Sequence, residues 1–257
     1  MSKTGLYWIE PGSPADNFPP IDSALDQPDG LLCFGGDLSP ERLMAAYRRG
    51  IFPWYCDPQP IMWWSPQPRC VLFPDQLRVS RSLKKSLRNK NLEISMDQAF
   101  TQVVGACAQP RPAGSNSDTD GSSSDADTWI TIDMQAAYGV LHTLGHAHSV
   151  EVWQHGKLVG GLYGIACGQL FFGESMFSRI SDASKVALYC LTKRLAAHGF
   201  QLIDCQVSSA HLYRLGAQDI GRSEFGAYLS QYSEAKNTLI AWPHDRSPAS
   251  AYDQGHE

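Results

Sequence analysis

The chain has 257 residues, 43% apolar and 18% charged, with a net charge of −5. That length holds one large domain or two small ones around a real core, and the composition is that of a soluble globular protein. The acidic balance excludes nucleic-acid binding by overall charge and leaves it to a local basic patch. The seven cysteines are odd in number and form no C-x-x-C pair, which argues against a disulfide framework or zinc site and for a reducing, cytoplasmic setting. No run approaches the ~20 apolar residues of a membrane span, and residues 1–20 lack the apolar stretch of a secretory signal.

Residues 1–30 are rich in Pro, Gly and Asp, with apolar anchors at Tyr7, Trp8, Ile9 and Phe18, and read as an irregular lead-in. A short apolar run over 30–37 ends in a Gly-Gly turn; no Gly-Lys-Ser/Thr follows, so it is not a phosphate loop. Ser39-Pro40-Glu41 starts a helix: an N-cap, a proline at the first position and an acid in the first turn. Leu43, Met44 and Tyr47 form its buried stripe, and Gly50 stops it. Ile51-Phe52-Pro53-Trp54-Tyr55 and Trp63-Trp64-Ser65-Pro66 then make a stiff aromatic loop. Its rings read either as core filling or as a wall for a flat ligand.

Residues 78–90 hold six cations and no acid. Arg81, Lys84, Lys85 and Arg88 follow i, i+3, i+4, i+7 spacing, which puts four charges on one helical face with Leu83 and Leu87 opposite. Such a face is either simply solvated or meets an anionic partner. Residues 95–107 read as a helix with Met96, Phe100, Val103 and Val104 apolar. Residues 109–127 are Pro, Gly, Ser, Asn and Asp with little to bury, and read as a disordered insertion. A helix over 133–144 carries Met134, Ala137, Tyr138, Leu141 and Leu144 inward. His146 and His148 lack a third metal ligand with convincing spacing.

From residue 149 the pattern is β. Val150 and Val152 alternate with Glu151 and Trp153, His155-Gly156 turns, and 157–167 is a long strand with glycines at 160, 161 and 164. Gly168 turns into 169–177, completing an antiparallel meander. Ser181-Asp182 caps a helix over 183–197 with the stripe Ala183, Ala187, Leu191 and Leu195. The strand 200–207 follows, and a strand–helix–strand passage favours a parallel neighbour. Two polar clusters stand among these strands: Gly173-Glu174-Ser175-Met176-Phe177-Ser178-Arg179 and Asp204-Cys205-Gln206. Polar groups packed that densely in core strands cost folding free energy unless paired or functional. The tail, 243–257, reads as frayed.

Six stretches together carry a family resemblance: Gly30-Leu-Leu-Cys-Phe-Gly-Gly-Asp-Leu-Ser39, Arg49-Gly-Ile-Phe-Pro-Trp54, Trp63-Trp-Ser-Pro66, Gly145-His-Ala-His-Ser-Val-Glu-Val-Trp153, Phe172-Gly-Glu-Ser-Met-Phe-Ser-Arg179 and Ile203-Asp-Cys-Gln206. From about residue 30 to about residue 230 the chain resembles the leucyl/phenylalanyl-tRNA–protein transferases. The resemblance implies an α+β (mixed α/β) protein with a small N-terminal domain (1–72) and a GNAT-like acyltransferase domain (73–242). It implies transfer of Leu or Phe from aminoacyl-tRNA to the N-terminal α-amine of proteins beginning with Arg or Lys, which marks them for N-end rule degradation. No cofactor or metal is implied, because the aminoacyl ester is already activated. By similarity, Asp204 and Gln206 sit at the reaction centre and Glu174 meets a positive group. Trp54 and Trp129 stack on the terminal adenosine. Leu162, Phe171 and Ile203 shape the amino-acid pocket, with Gly173 and Ser175 beside it. Arg81, Lys84, Lys85 and Arg88 contact the tRNA acceptor stem. Ser209 and Arg214 depart from the family pattern. Two other classes stay open: a CoA-dependent acetyltransferase, disfavoured by the glycine-free passage 178–184, and a non-catalytic tRNA-binding module.

Overall fold

A computed structural model describes residues 6–109, 130–235, 242 and 245–253. In chain order the elements are β1 (Tyr7–Ile9), β2 (Leu31–Gly35), α1 (Pro40–Arg48), β3 (Phe52–Pro53), β4 (Met62–Trp64), β5 (Arg69–Leu72), α2 (Arg81–Asn89), β6 (Glu93–Met96), α3 (Phe100–Cys107) and α4 (Ile132–Thr143). There follow β7 (Ala147–Gln154), β8 (Lys157–Cys167), β9 (Leu170–Ser178), α5 (Ala183–Ala197), β10 (Leu202–Gln206), α6 (Ala210–Leu215), β11 (Gln218–Ile220), α7 (Arg222–Tyr232) and β12 (Ser247–Pro248).

The fold is mixed α/β, with two sheets. The smaller runs β1-β2-β4-β3, and the larger runs β11-β5-β10-β9-β8-β7-β6-β12. Strand β5 lies within the segment expected for the small domain, yet it pairs with β10 and β11 in the large sheet. The meander β7–β8–β9 is antiparallel, and β10 returns parallel to β9 after α5, as the strand–helix–strand pattern predicts. One face of the large sheet packs against the small sheet, α1, α3, α4 and α7. The other packs against α2 and α5, whose stripe Ala183, Ala187, Leu191 and Leu195 is fully covered.

Three expectations need correction. Residues 95–107 are not one helix: 93–96 are a strand, and Asp97 breaks the chain with φ of 57°. The Asp97 carboxylate is taken by Ser149 N–H (2.8 Å) and the His148 ring (2.7 Å), which fixes the left-handed turn without glycine. The tail is not frayed over 245–253: Ser247 and Pro248 pair with β6, Ala249 is buried, and Ala249 N–H bonds Leu92 O at 2.8 Å. Leu144, placed inward by its spacing, is 56% exposed because α4 ends one residue before it. The insertion expected at 109–127 lies, from residue 110, outside the described residues, as does Trp129.

Candidate active site

The parallel pairing of β9 with β10 covers Leu170 to Phe172 and stops at Asp204↔Phe172. Beyond it the strands part. β9 carries a bulge, because Tyr163 faces Ser175 while Gly164 faces Gly173, so Glu174 is the extra residue. Gly164 permits this: a Cβ there would overlap Phe172 O and the Phe171 ring. β10 has its own bulge, between Asp204 and Gln206, and Gln206 sits at φ of 65°. Two irregularities side by side turn Glu174 and Gln206 toward each other, and the Gln206 amide donates to Glu174 Oε1 at 2.9 Å.

Two helices complete the cage around Glu174. Ser39 caps α1 by accepting from Arg42 N–H, and Gly50 closes the helix at φ of 69°, where a Cβ would also strike the Phe225 ring. The inward stripe of α1 thereby presents Tyr47. Thr131 caps α4 by accepting from Met134 N–H (3.2 Å), and the next turn presents Tyr138. Tyr47 Oη lies 2.8 Å from Glu174 Oε1, Tyr138 Oη lies 2.9 Å from Oε2, and the two hydroxyls are 2.6 Å apart. Glu174 is 8% exposed. Burial pushes its carboxyl up to about 7; the hydroxyl and amide hydrogen bonds pull it back down, and the Asp204 charge adds a small rise.

The proton count in this triangle is informative. Three oxygen–oxygen contacts need three protons, and the two hydroxyls supply two. A third is present only when Glu174 is neutral. Protonated, the group closes a ring in which every contact holds one hydrogen; ionised, it leaves one short contact without any. Burial favours the neutral acid, while the hydrogen bonds donated by Tyr47, Tyr138 and Gln206 favour the carboxylate.

Asp204 is 0% exposed and engaged on both oxygens. Arg69 Nε and Nη2 donate to Oδ1 and Oδ2 at 2.8 and 2.7 Å, and Gln206 N–H donates to Oδ1 at 2.9 Å. The Arg69 guanidinium lies between the rings of Phe52 and Phe225, 4.8 and 4.9 Å from their centroids. The carboxylate therefore fixes the backbone of Gln206 and does not touch its side chain. The Gln206 Nε2 is held by Glu174, and no hydrogen bond to the side-chain oxygen of Gln206 is seen among the described residues.

The other expected site residues fall into groups. Leu162, Phe171 and Ile203 come together in the core cluster on the α5 face, all nearly buried. Gly173 sits at the notch, where a Cβ would meet Asp204 O at 3.6 Å and Ile203 Cγ2 at 3.8 Å, while Ser175 follows Glu174, half-buried. Trp54 is half-buried and packs on Trp64 at 5.6 Å. Its neighbour Tyr55 contacts Thr131 at the start of α4 (3.4 Å), which joins the aromatic loop to the segment that follows Trp129. Arg81, Lys84, Lys85 and Arg88 line the exposed face of α2, with Leu83 and Leu87 buried beneath, away from the Glu174 cage. Ser209 is the N-cap of α6 and accepts from Leu212 N–H at 3.2 Å.

Arg69, and the hydroxyl roles of Tyr47 and Tyr138, were not anticipated. The one signal for Arg69 is a lone cation opening the apolar run Cys70-Val71-Leu72. Among the described residues no group of three His, Cys, Asp or Glu could hold a metal ion, and no helix is long and apolar enough to cross a membrane.

The profile described as Leucyl/phenylalanyl-tRNA protein transferase matches residues 71–230, and that of the Leucyl/phenylalanyl-tRNA protein transferase N-terminal domain matches 36–67. A leucyl/phenylalanyl-tRNA–protein transferase of Methylococcus capsulatus is 52% identical over 239 residues, spanning 93% of this chain and 97% of that one. One from Pseudomonas aeruginosa is 56% identical over 222 residues, spanning 86% and 93%. Among solved structures, a GCN5-related N-acetyltransferase from Kribbella flavida aligns with 71% of this chain and 61% of its own at a TM-score of 0.36 and 10% identity. The shorter profile contains Tyr47, the longer one contains Tyr138, Glu174, Asp204 and Gln206, and Arg69 bridges the gap between them. With both profiles in order along one chain and such identity across nearly its whole length, the chain belongs to the leucyl/phenylalanyl-tRNA–protein transferase family.

Proposed function

We propose that this chain accepts proteins beginning with Arg or Lys, and that Glu174 and Gln206 handle their α-amine while Asp204 and Arg69 hold Gln206 in place. Family membership makes the chain an aminoacyltransferase that moves Leu or Phe from aminoacyl-tRNA to protein N-termini. The ester is activated, so the protein must position the reactants, remove a proton and stabilise the tetrahedral oxyanion. The acceptor amine has an ordinary pKa of about 8. An amide is too weak a base to deprotonate it. The Gln206 oxygen can accept one N–H and aim the lone pair, and the ionised form of Glu174, whose carboxyl lies near 7, takes the proton as the C–N bond forms. The proton then passes to the departing tRNA 3′-oxygen. The observation that carries this reading is the cage on Glu174, a buried carboxyl that accepts from Tyr47, Tyr138 and the Gln206 amide.

The rest of the reading follows the same surfaces. Leu162, Phe171 and Ile203 form an apolar wall for Leu or Phe, and Trp54 with Trp129 stacks on the terminal adenosine. A two-part chain, a cytoplasmic setting and N-end rule degradation of the product complete it. An acetyl-CoA activity is disfavoured at α5. Its N-cap, Asp182, has φ of 70°, and its carboxylate bonds Ser86 and Lys185 where a pyrophosphate would need to sit.

The test is transfer of label from Leu-tRNA to peptides starting with Arg, Lys or Glu, run beside acetyl-CoA as donor. Label is expected on the Arg and Lys peptides from the tRNA donor alone. Equal labelling of the Glu peptide would overturn the acceptor class. A Lys84→Glu/Lys85→Glu protein is expected to bind tRNA about tenfold or more weakly, with a shallower salt dependence and unchanged thermal unfolding, since both side chains are exposed. Unaltered affinity in filter binding would remove α2 from the tRNA surface.

A further inference from the structure

We propose that Cys70 and Cys205 form an oxidisable dithiol, a covalent modification site built into the bulge beside Asp204 and Gln206. Strand β5 runs antiparallel to β10, and Asp204 faces Val71 while Gln206 faces Cys70. Cys205 is the extra residue, so two positions of β10 stand against Cys70 alone. Cys205 thus stands next to the residue paired with Cys70, and a disulfide spans Cα separations of about 4.4–6.8 Å. The two thiols already interact with each other. Both are free, Cys70 fully buried and Cys205 half-buried. Cys205 is thus the partly exposed residue of the pair, and Cys70 is held behind it, in contact with its thiol and able to resolve an adduct.

The reaction balances with a small disulfide, RSSR, as oxidant. The Cys205 thiolate attacks one sulfur of RSSR and expels the first RSH after protonation. Cys70 then attacks Cys205 Sγ, expels the second RSH and leaves the Cys70–Cys205 disulfide. The protein loses two electrons and two protons, and RSSR gains them. Contact with Cys70 and burial push the Cys205 thiol well above its ordinary value, so little thiolate is present and the first step is slow. The second step is intramolecular.

The consequence falls on the reaction centre. A disulfide fixes the Cβ···Cβ separation near about 3.8 Å and draws Cys205 against β5. Gln206 follows directly, with its left-handed backbone and its N–H on Asp204 Oδ1. A misplacement of about 1 Å in such a group costs up to about a hundredfold in rate, so oxidation is expected to slow aminoacyl transfer about tenfold or more.

The test treats the full chain with excess oxidised glutathione and digests it with trypsin without reduction. Cleavage after Arg69, Arg78, Arg194 and Arg214 leaves Cys70 on the peptide 70–78 and Cys205 on 195–214, each with no other cysteine. The expected result is a cross-linked pair of these peptides lighter by two hydrogens than their sum, with transfer slowed in proportion and restored by dithiothreitol. In a Cys70→Ala protein the same treatment is expected to give no linked pair and to leave any glutathione on Cys205. The absence of the linked pair while Cys205 carries glutathione would overturn the proposal, as would full linkage with an unchanged rate. The peptide readout needs no variant and no assumption about which acceptors the enzyme uses.

Discussion

An Arg69→Met protein is expected to lose about 3–5 kcal/mol of folding stability, because a buried ion pair broken on one side leaves an uncompensated charge. The partner is Asp204, which is 0% exposed and whose other hydrogen bond, from Gln206 N–H, does not neutralise it. The same variant removes the guanidinium between the Phe52 and Phe225 rings, which ties β3 of the small sheet to α7 across β5. Lysine is not expected to restore the loss, since the contact is a two-nitrogen fork on two carboxylate oxygens. Urea unfolding at constant slope measures the change. A double variant, Arg69→Met with Asp204→Leu, is expected to recover most of the stability while transfer stays low, because burial of the charge is relieved but Gln206 loses its anchor. A loss below about 1 kcal/mol in the single variant would show that the pair adds little beyond a surface contact.

Transfer is expected to fall by about 10²–10⁴-fold in a Glu174→Gln protein, the range general acid–base catalysis supplies. Glutamine matches the size of the residue and can still meet the hydroxyls and the Gln206 amide, but it cannot take a proton. The loss is expected in kcat, with tRNA binding unchanged. For the wild-type enzyme, kcat/KM is expected to climb with pH through about 7 as Glu174 ionises, and the Gln variant to lack that limb. The same group affects stability with a definite sign. Its carboxyl is raised from 4.5 to about 7 in the folded chain, so between those values the native state holds a proton that the unfolded state has lost. That contribution is complete below pH 4.5 and disappears as pH rises through 7, roughly 3 kcal/mol in all. Glu174→Gln is expected to flatten this part of the stability–pH curve.

Much of this site was legible because it rests on local rules. Ser39-Pro40 and Gly50 bracket α1 as capping predicts, and the alternation from Val150 to Trp153 places both faces of β7 correctly. The strand-end clusters around Glu174 and Asp204 stood out as polar groups in apolar runs. Other features depend on pairing across the chain. Arg69 and Asp204 are 135 residues apart in sequence, and only the register of β5 on β10 joins them. Tyr47 and Tyr138 fit helical stripes, and periodicity places their rings in the core without saying where each hydroxyl goes. Met96 falls at helical spacing from Phe100, and the break between them comes from Asp97 capturing β7, with no glycine or proline to announce it. The docked tail is a tertiary effect as well, since Ser247 and Pro248 find an edge on β6 that their own composition does not predict.

The central claim is that burial in its cage makes the Glu174 carboxyl titrate near 7, and a carbon-13 NMR titration of glutamate-labelled protein tests it most directly, with Glu174→Gln assigning the resonance. A midpoint near 7 is expected, moving upward in Tyr47→Phe, where one hydrogen bond that favours the carboxylate is gone. A Glu174 carboxyl that titrates near 4.5 in the folded protein would contradict the account.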